Sequence, residues 1–410
     1  MPSAPSLPPA VRTKTASARM RAASHLTTGF AALAFFLGIK SLPAEAAQPG
    51  LSVGTGGGLL LEGKPWRGLG VNYYDAFARL LGDGKIADAE AGFRALAAEK
   101  IPFIRFAACG YWPVDWKLYQ ADREEYFRRF DALVKLAEKH GIGLIPSLFW
   151  HQPTISDLVG EPIQEWGNPA SGTTAFMRGY TREVVLRHRD SKAVWAWEFG
   201  NEFNLPADLP NAAEHRAPVI PALGTAAGRS ELDDLRHADF RSALAEFAKE
   251  VRLHDPRRLI ISGNAFPRPS AWHQMRSRTW EKDSPEQWAT MLDGDNPAPL
   301  PSYSGRLYSA GDLEFLPRAA AQSAKDNKPL IIGEFGVSGV LTDESSQQFR
   351  TQLEALDQNR IPLAALWVFD FKGQDADWNV TSVNARAGQL RLTAEMNARW
   401  QSTDAAARTP

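Results

Sequence analysis

The sequence has a single cysteine, Cys109, and no excess of charge of either sign. One cysteine among 410 residues cannot form an internal disulfide, so the fold must be held by its hydrophobic core. Cys109 follows an apolar, strand-like run, which predicts a buried structural thiol; a reactive thiol is the alternative. The 46 Lys and Arg residues balance 47 Asp and Glu residues, for a formal charge of -1. This balance gives no electrostatic reason to expect nucleic acid or an acidic membrane surface as a partner.

Signatures of a cofactor or metal site are also missing. The sequence contains no CxxC pair and no His/Cys cluster with the spacing of zinc ligands. The glycines of 54–58 precede the first predicted strand instead of following it, so they indicate a flexible turn rather than a dinucleotide fingerprint. The acidic stretch 370–379 misses the spacing of an EF-hand loop, and a solvated loop beside the cleft is preferred. We therefore expect neither a cofactor nor a metal ion.

The N-terminal segment lacks an apolar run long enough to span a membrane but has the features of an export signal. Two arginines precede an apolar run from Phe30 to Ile39, and Ala44-Glu45-Ala46 offers a small-x-small cleavage site. The run is about half of the roughly 20 residues that a membrane-spanning helix needs, so a permanent anchor, as in a membrane-tethered interaction protein, is the weaker alternative. We assign 1–47 to a leader, with Met20 as a candidate start codon, and expect a secreted or periplasmic protein.

Past the leader, short apolar runs alternate with longer amphipathic segments eight times, without internal repeats or a long linker. Near-continuous apolar runs are typical of parallel strands buried on both faces, and parallel neighbours require a crossover helix. Eight such units in roughly 330 residues favour an α/β fold of the closed (β/α)8 TIM barrel type over an open doubly wound sheet. We predict one domain over 48–410. The predicted strands are Arg67–Tyr74, Pro102–Phe106, Gly143–Phe149, Val194–Glu198, Leu259–Ser262, Ser302–Tyr308 (the faintest), Leu330–Gly333 and Leu363–Phe369.

The carboxyl ends of the strands, where a barrel of this type carries its chemistry, include two conspicuous carboxylates. Strand four runs into WEFGNEF, which contains Glu202, and strand seven into IIGEFG, which contains Glu334. An ionised carboxylate among aromatic and glycine residues is costly unless it is paired or used. Strands four and seven face each other obliquely across the mouth, so the two carboxyl groups are expected about 5 Å apart. Glu198 lies on the same strand face, deeper in the barrel, and is assigned a structural role.

These two motifs resemble the catalytic signatures of glycoside hydrolase family 5, a family of barrels that use strands four and seven. The resemblance covers nearly the whole chain after the leader. It implies hydrolysis of O-glycosyl bonds in β-linked polysaccharide or oligosaccharide, such as β-glucan or β-mannan, by double displacement. Glu202 is then the acid/base and Glu334 the nucleophile. A saccharide is the expected partner, and a monomer the expected state.

Further residues at strand ends match the family pattern. Arg105 resembles the arginine that keeps the nucleophile charged, with a surface ion pair as the alternative. Asn201 is expected to hydrogen-bond the sugar 2-hydroxyl, and Tyr308 to donate to the nucleophile. Trp367 resembles the tryptophan that forms the floor of the sugar site, with core packing as the alternative. His151 is either a substrate-contacting histidine or a loop histidine with a purely structural partner.

Several of the 13 tryptophans fall in loops that follow strands. Flat aromatic faces stack on the C–H faces of pyranose rings, so these residues predict a long saccharide groove, although each alone is more often a packing residue. By position, Trp112 and Trp150 are the best candidates. The loop tryptophans are Trp112, Trp116, Trp150, Trp166, Trp272, Trp280 and Trp378.

Strand six departs from the family pattern. The family usually has His-x-Tyr there, whereas this sequence reads Arg306-Leu307-Tyr308 after the poor strand sequence 302–305. Either Arg306 replaces the histidine or the local register differs. A guanidinium near Glu202 would favour its ionised form and weaken it as an acid. The alternative function is therefore a secreted carbohydrate-binding barrel with impaired catalysis, and unchanged behaviour of Arg306→His would place Arg306 outside the site.

Overall fold

The computed structural model describes residues 49–82 and 86–406, so the predicted leader 1–47 lies outside the described residues. Within them, eight parallel strands form a nearly closed barrel with helices around it, which confirms the predicted (β/α)8 fold. Each strand is buried along its whole length, as expected for a sheet covered on both faces. The barrel strands are β1 (Gly68–Asn72), β2 (Phe103–Ala107), β3 (Gly143–Phe149), β4 (Ala196–Gly200), β5 (Leu259–Ile261), β6 (Tyr303–Leu307), β7 (Leu330–Phe335) and β8 (Leu363–Leu366).

The helices lie between successive strands and cover the outside of the barrel. In the described part of the chain they are α1 (Ala76–Leu81), α2 (Ile86–Ala98), α3 (Lys117–Ala121), α4 (Arg123–His140), α5 (Pro153–Val159), α6 (Gly172–His188), α7 (His237–His254), α8 (Ala271–Ser277), α9 (Pro285–Gly294), α10 (Ala310–Asp326), α11 (Asp343–Gln358) and α12 (Ala387–Ala406). Short 3-10 helices occur at Pro113–Trp116, Ile163–Gly167, Ala212–His215, Pro221–Leu223, Glu231–Asp233 and Lys372–Gln374. None of the helices described has both the length and the apolar character needed to cross a membrane.

Helix α4 shows how the sequence sets these boundaries. The Asp122 side chain accepts a hydrogen bond from the Glu125 backbone N–H, which satisfies one of the free donors of the first turn. At the other end Gly141 takes a left-handed conformation with φ of 66°, which glycine adopts without steric cost. The helix therefore ends at Gly141, and the chain turns directly into β3.

The strands pair in the order β5-β4-β3-β2-β1-β8-β7-β6. At the seam between β5 and β6 the Ser302 hydroxyl donates to the Ile260 carbonyl oxygen at 2.8 Å. A small antiparallel sheet of Leu51–Val53, Leu59–Leu61 and Lys64–Pro65 precedes the barrel, and its apolar side chains pack with the lower interior layer. The glycines of 54–58 form the turn of its first hairpin. This arrangement closes the end of the barrel opposite the mouth.

Most strand bounds differ from the prediction by one or a few residues. Strand β4 starts two residues later than predicted, because Val194 makes only an isolated bridge to β3. The regular part of β8 ends at Leu366, although Trp367 and Phe369 still donate backbone hydrogen bonds to neighbouring segments. The faint strand six is a fully buried strand in which Tyr303 and Leu307 join the outer core.

The lone cysteine is a core residue. Its side chain is 4% exposed, and its sulfur accepts a hydrogen bond from the Trp150 backbone N–H at 3.3 Å. Burial raises the pKa of the Cys109 thiol to about 12. The thiol therefore stays protonated at neutral pH, in line with the predicted structural role.

Candidate active site

The two predicted carboxylates meet at the mouth of the barrel. Arg306 Nε lies 3.7 Å from Glu202 Oε1 and 3.4 Å from Glu334 Oε1, so these two oxygens are at most about 7 Å apart. The Glu334 side chain is 5% exposed, whereas that of Glu202 is 29% exposed and opens onto the cleft. Two carboxyl groups of different exposure thus face a common space from opposite walls of the barrel.

The backbone at Glu202 is held in an uncommon conformation. Its φ of 53° lies in the left-handed region, which residues other than glycine seldom adopt. Its N–H donates to the Gly263 carbonyl oxygen at 3.0 Å, and its own carbonyl oxygen accepts from Gln152 Nε2 at 3.2 Å. A Cβ on Gly263 would lie 1.9 Å from the Gly200 carbonyl oxygen, so only glycine fits beside β4. These contacts direct the Glu202 carboxyl group into the mouth.

Glu334 receives a hydrogen bond on each oxygen. Arg105 Nη1 donates to Oε1 at 2.7 Å, and the Tyr308 hydroxyl donates to Oε2 at 2.6 Å. Burial alone would raise the pKa of Glu334, but the charges of Arg306 and Arg105 and these two hydrogen bonds hold that pKa below its ordinary value. Burial raises the pKa of Tyr308 well above its ordinary value, so its hydroxyl remains a donor. Glu334 is therefore ionised at neutral pH.

Arg105 is the hub of the hydrogen-bond network beneath the mouth. It is 1% exposed, and its Nε donates to both oxygens of Glu198 at 2.8 and 2.9 Å. Its Nη1 also donates to Asn72 Oδ1 at 2.9 Å, and its Nη2 donates to Asn201 Oδ1 at the same distance. The guanidinium carbon lies 4.4 Å from the centre of the Trp150 ring. Arg105 is thus an interior cation rather than a surface ion pair, and Glu198 is its buried counterion.

Arg306 lies inside the site, beside both carboxyl groups. It pairs in register with Glu334 across β6 and β7 and is 2% exposed. Its Nη2 donates to Asn201 Oδ1 at 2.8 Å and to the Gly263 carbonyl oxygen at 2.6 Å. A Cβ on Gly333 would lie 2.3 Å from Arg306 Nη1, so the glycine before Glu334 makes room for this guanidinium.

The pKa of Glu202 is raised to about 7. Burial is the largest cause and the negative charge of Glu334 the second, while Arg306 and Arg105 lower the pKa by smaller amounts. The expected influence of Arg306 on Glu202 is therefore present in the predicted direction but is outweighed. Glu202 remains substantially protonated near neutral pH, while Glu334 is charged.

Asn201 and Trp367 complete the floor of the site. The Oδ1 atom of Asn201 accepts from both Arg105 and Arg306, which fixes the amide and leaves its Nδ2 as a donor with no partner among the described residues. Trp367 donates from Nε1 to Gln374 Oε1 at 2.9 Å, and its ring is stacked near that of Trp150, with centroids 6.1 Å apart. The part-exposed Trp367 ring thus borders the cleft beside the carboxylate pair.

His151 and Trp112 lie on the rim. The His151 ring stacks on Tyr111 at 4.4 Å, and its Nδ1 is 3.1 Å from Thr154 Oγ1. Burial lowers the pKa of His151 to about 4, so the imidazole is neutral at neutral pH. Trp112 contacts the same histidine edge-on, with ring centroids 5.0 Å apart. Both predicted residues therefore belong to one aromatic cluster at the side of the cleft.

The remaining tryptophans divide between core and cleft. Trp150 is 6% exposed, lies against Arg105 and Trp367, and contributes to the wall of the cleft beside Glu202, so it supports these residues and leaves little ring surface for the predicted sugar stacking. Trp116 and Trp166 are fully buried, which removes them as groove residues. Part-exposed Trp378 packs edge-on against Tyr308 at 5.0 Å and borders the Glu334 side of the cleft.

Two residues of the site, Asn72 and Trp378, are not among the site residues predicted from the sequence. Asn72, at the end of β1, binds Arg105 through Oδ1 and donates from Nδ2 to the Gly333 carbonyl oxygen at 3.0 Å. The only signal for it was a polar residue ending an apolar strand. Trp378 is one of several loop tryptophans, and no local sequence feature distinguishes it from the others.

A (β/α)8 barrel with an acid and a carboxylate at the ends of β4 and β7 has the architecture of the barrel glycoside hydrolases. The family profile described as Cellulase (glycosyl hydrolase family 5) matches residues 66–373. The match covers well over half of the chain, and the chain belongs to this family.

Individual relatives are more distant. A curated relative described as probable mannan endo-1,4-beta-mannosidase A, from Aspergillus oryzae, is 28% identical over 186 residues, or 40% of this chain and 46% of the relative. The chain thus matches about half the length of that relative. A family 5 mannosidase from Rhizomucor miehei superposes with a TM-score of 0.59 at 12% identity, covering 88% of this chain and 100% of the other. The catalytic domain of an endoglucanase from Thermobifida fusca superposes with a TM-score of 0.52 at 16% identity, covering 84% of this chain and 97% of the other. At these identities the structural likeness supports the fold alone.

Proposed function

We propose that the protein hydrolyses O-glycosyl bonds of β-linked polysaccharide or oligosaccharide with retention of anomeric configuration. We further propose that it prefers substrates whose polysaccharide backbone is β-mannan. One observation carries the proposal. Two carboxyl groups that reach the same Arg306 nitrogen have pKa values shifted in opposite directions, Glu334 downward and Glu202 upward to about 7. This difference is what a nucleophile and a general acid require at one pH.

In the first half-reaction, ionised Glu334 attacks the anomeric carbon and the glycosidic C–O bond breaks. Protonated Glu202 gives its proton to the leaving oxygen, so the products are a glycosyl ester on Glu334 and a free saccharide. Arg105 and Tyr308 orient the attacking carboxylate through their hydrogen bonds. The free Nδ2 donor of Asn201 is suited to the sugar 2-hydroxyl, a contact that strengthens in the transition state.

In the second half-reaction, the ester carries no charge, so the repulsion that raised the pKa of Glu202 is gone. Glu202, now ionised, takes a proton from water while that water attacks the anomeric carbon and Glu334 leaves. The two carboxyl oxygens that contact Arg306 are at most about 7 Å apart. This upper limit is compatible with the roughly 5 Å separation of a retaining pair and excludes most of the roughly 6.5–9.5 Å range of inverting pairs.

The choice of mannan rests on the relatives. The curated relative is described as acting on mannan, and the Rhizomucor miehei structure is a mannosidase. β-Glucan is the second candidate, because an endoglucanase shares the fold. The alternative of an impaired saccharide-binding barrel depended on Arg306 suppressing the acid, and the raised pKa of Glu202 argues against it.

The product anomer tests the proposal. With soluble β-mannan and β-glucan oligosaccharides, proton NMR during the first minutes is expected to show the β-anomer first and the α-anomer only after mutarotation. Faster turnover of the mannan series would support the substrate assignment. Immediate release of the α-anomer would refute retention, and binding without any product would support the binding-protein alternative.

The pH profile of kcat/KM is expected to respond to Arg306. The alkaline limb reports loss of the Glu202 proton and is expected near pH 7, while the acidic limb reports protonation of Glu334. Arg306→Gln removes a positive charge that lowers both pKa values, so both limbs are expected to move to higher pH. Arg306→Lys keeps the charge and is the matched control. Limbs of Arg306→Gln that coincide with those of the wild type would contradict this account.

We also propose that the protein is exported. The support is the sequence of 1–47, with its arginines, apolar run and small-residue cleavage site. N-terminal sequencing of protein recovered from the periplasm and medium is expected to give a mature chain that starts near residue 47.

A further inference from the structure

A cavity of about 330 Å3 lies on one side of the carboxylate pair, and we refer to it as the Glu202-side cavity. Its walls include Glu202, Asn201, His151 and Arg268, but not Glu334. In the proposed reaction the acid protonates the oxygen of the departing saccharide, so the leaving group lies on the side of the acid. The Glu202-side cavity is therefore the place for the leaving group.

Arg268 brings an uncompensated charge to this cavity. It is half-buried, and its Nε donates to the Leu205 carbonyl oxygen at 2.8 Å, which anchors the side chain. Among the residues that the structure describes, this is the only hydrogen bond of the Arg268 side chain, and none of their carboxylates forms an ion pair with it. Burial lowers the pKa of Arg268, and the charge of Glu202 acts against this effect. Its two terminal nitrogens have no partner among the described residues.

The adjoining part of the groove is different. A second cavity, of about 230 Å3, shares His151 and His215 with the first and is lined by Arg216. Arg216 is neutralised by Asp234 through two hydrogen bonds of 2.6 and 3.0 Å. His151 is neutral, because burial lowers its pKa to about 4. Of the two arginines that line these cavities, Arg268 is therefore the one without an ion-pair partner among the described residues.

We propose that Arg268 binds a sugar carboxylate, so that the preferred substrate is a β-linked glycan with a uronic acid in its leaving-group portion. A guanidinium with two free terminal nitrogens can form two parallel hydrogen bonds to a carboxylate. Partial burial strengthens such a pair, because less water competes for either charge. The inference deepens the proposed function and rests on it for the identity of the leaving-group side.

The test compares an oligosaccharide that has a uronic acid on the leaving side of the scissile bond with its methyl ester. The two differ in the charge of one group. The wild type is expected to hydrolyse the acid with a kcat/KM at least tenfold above that of the ester, and Arg268→Gln to reduce this ratio to about one. Arg276→Gln is the matched control, since Arg276 is exposed on α8 and does not line the cavity. An equal rate on both substrates in the wild type, or a preference that survives in Arg268→Gln, would overturn the inference.

Binding separates this inference from the proposed function. Calorimetry with Glu334→Gln measures affinity for the acid and the ester without turnover, and Arg268→Gln is added to that background. If the wild type hydrolyses neither compound, the proposed function fails, yet Arg268-dependent binding of the acid still supports the carboxylate site. Equal binding of acid and ester in Glu334→Gln overturns the site even when hydrolysis is observed. Arg268→Lys, which keeps the charge, is expected to retain part of the preference and so excludes misfolding as the cause of a loss.

Discussion

Replacing Glu334 with alanine is expected to reduce kcat by about 10,000-fold or more on every β-linked substrate. In the proposed mechanism the variant lacks the atom that attacks the anomeric carbon, and the neighbouring Glu198 cannot replace it, because Arg105 binds both of its oxygens. Rates on mannan oligosaccharides and on activated aryl glycosides are expected to fall alike. Glu354→Ala, which removes an exposed glutamate of α11, is the matched control and should retain full activity.

Glu202→Ala is expected to respond differently to the two substrate types. On saccharide leaving groups the loss is expected to be on the order of 100- to 10,000-fold, the usual contribution of general acid catalysis. On dinitrophenyl glycosides, whose leaving group needs no proton, the first step is expected to remain fast. Values of kcat/KM report the first half-reaction alone, so kcat/KM on both substrates would reveal this split. An equal loss of kcat/KM on both would contradict the assignment of Glu202 as the acid.

Removing Arg105 is expected to have the largest effect on stability. In Arg105→Met the Glu198 carboxylate is left buried without its partner, and breaking a buried pair in this way costs about 3–5 kcal/mol. Activity is expected to fall as well, because Glu334 loses a 2.7 Å donor and a positive charge that lowers its pKa. Urea denaturation and kcat at the pH optimum measure the two effects separately.

The double variant Arg105→Met/Glu198→Leu separates the two roles of this arginine. Replacing both partners by apolar side chains removes the unpaired charge, so most of the lost stability is expected to return. Activity is expected to stay low, because Glu334 still lacks Arg105. A double variant as unstable as the single one would show that Glu198 is not the source of the cost. Recovery of activity with stability would show that Arg105 has no direct effect on the nucleophile.

The barrel could be predicted because burial on both faces leaves a clear pattern. Strand β3 is a near-continuous apolar run, and its predicted bounds, Gly143–Phe149, are correct. Strand β6 was faint for a physical reason. Its interior positions hold Ser304 and Arg306, which belong to the polar interior of the mouth, and only alternate residues contribute to the core.

The site could be predicted only in part, because its members act through contacts between distant segments. Glu202 and Glu334 were recognisable as carboxylates at strand ends, and Arg105 through the resemblance. The position of Arg306 between the two carboxylates depends on the pairing register of β6 and β7 and on the space left by Gly333. The cation left unpaired at Arg268 depends on a loop conformation that no local pattern encodes.

The sequence also does not distinguish the tryptophans of the cleft from those of the core. A tryptophan after a strand has the same local signal whether it faces the cleft or the core. Trp116 and Trp166 are fully buried, whereas Trp367 and Trp378 are part-exposed beside the carboxylate pair. Only the three-dimensional packing separates the two groups.

The central claim is that Glu334 forms a covalent glycosyl ester, and trapping that ester tests it most directly. A dinitrophenyl 2-deoxy-2-fluoro-β-mannoside slows both half-reactions through its fluorine but keeps a good leaving group, so the ester is expected to accumulate. Mass spectrometry of the intact protein should then show the added mass of one fluorosugar, and peptide mapping should locate it on Glu334. The same reagent should leave Glu334→Ala unlabelled. A label on another carboxylate, or turnover of the reagent through an unlabelled enzyme with α-anomer release, would contradict the account.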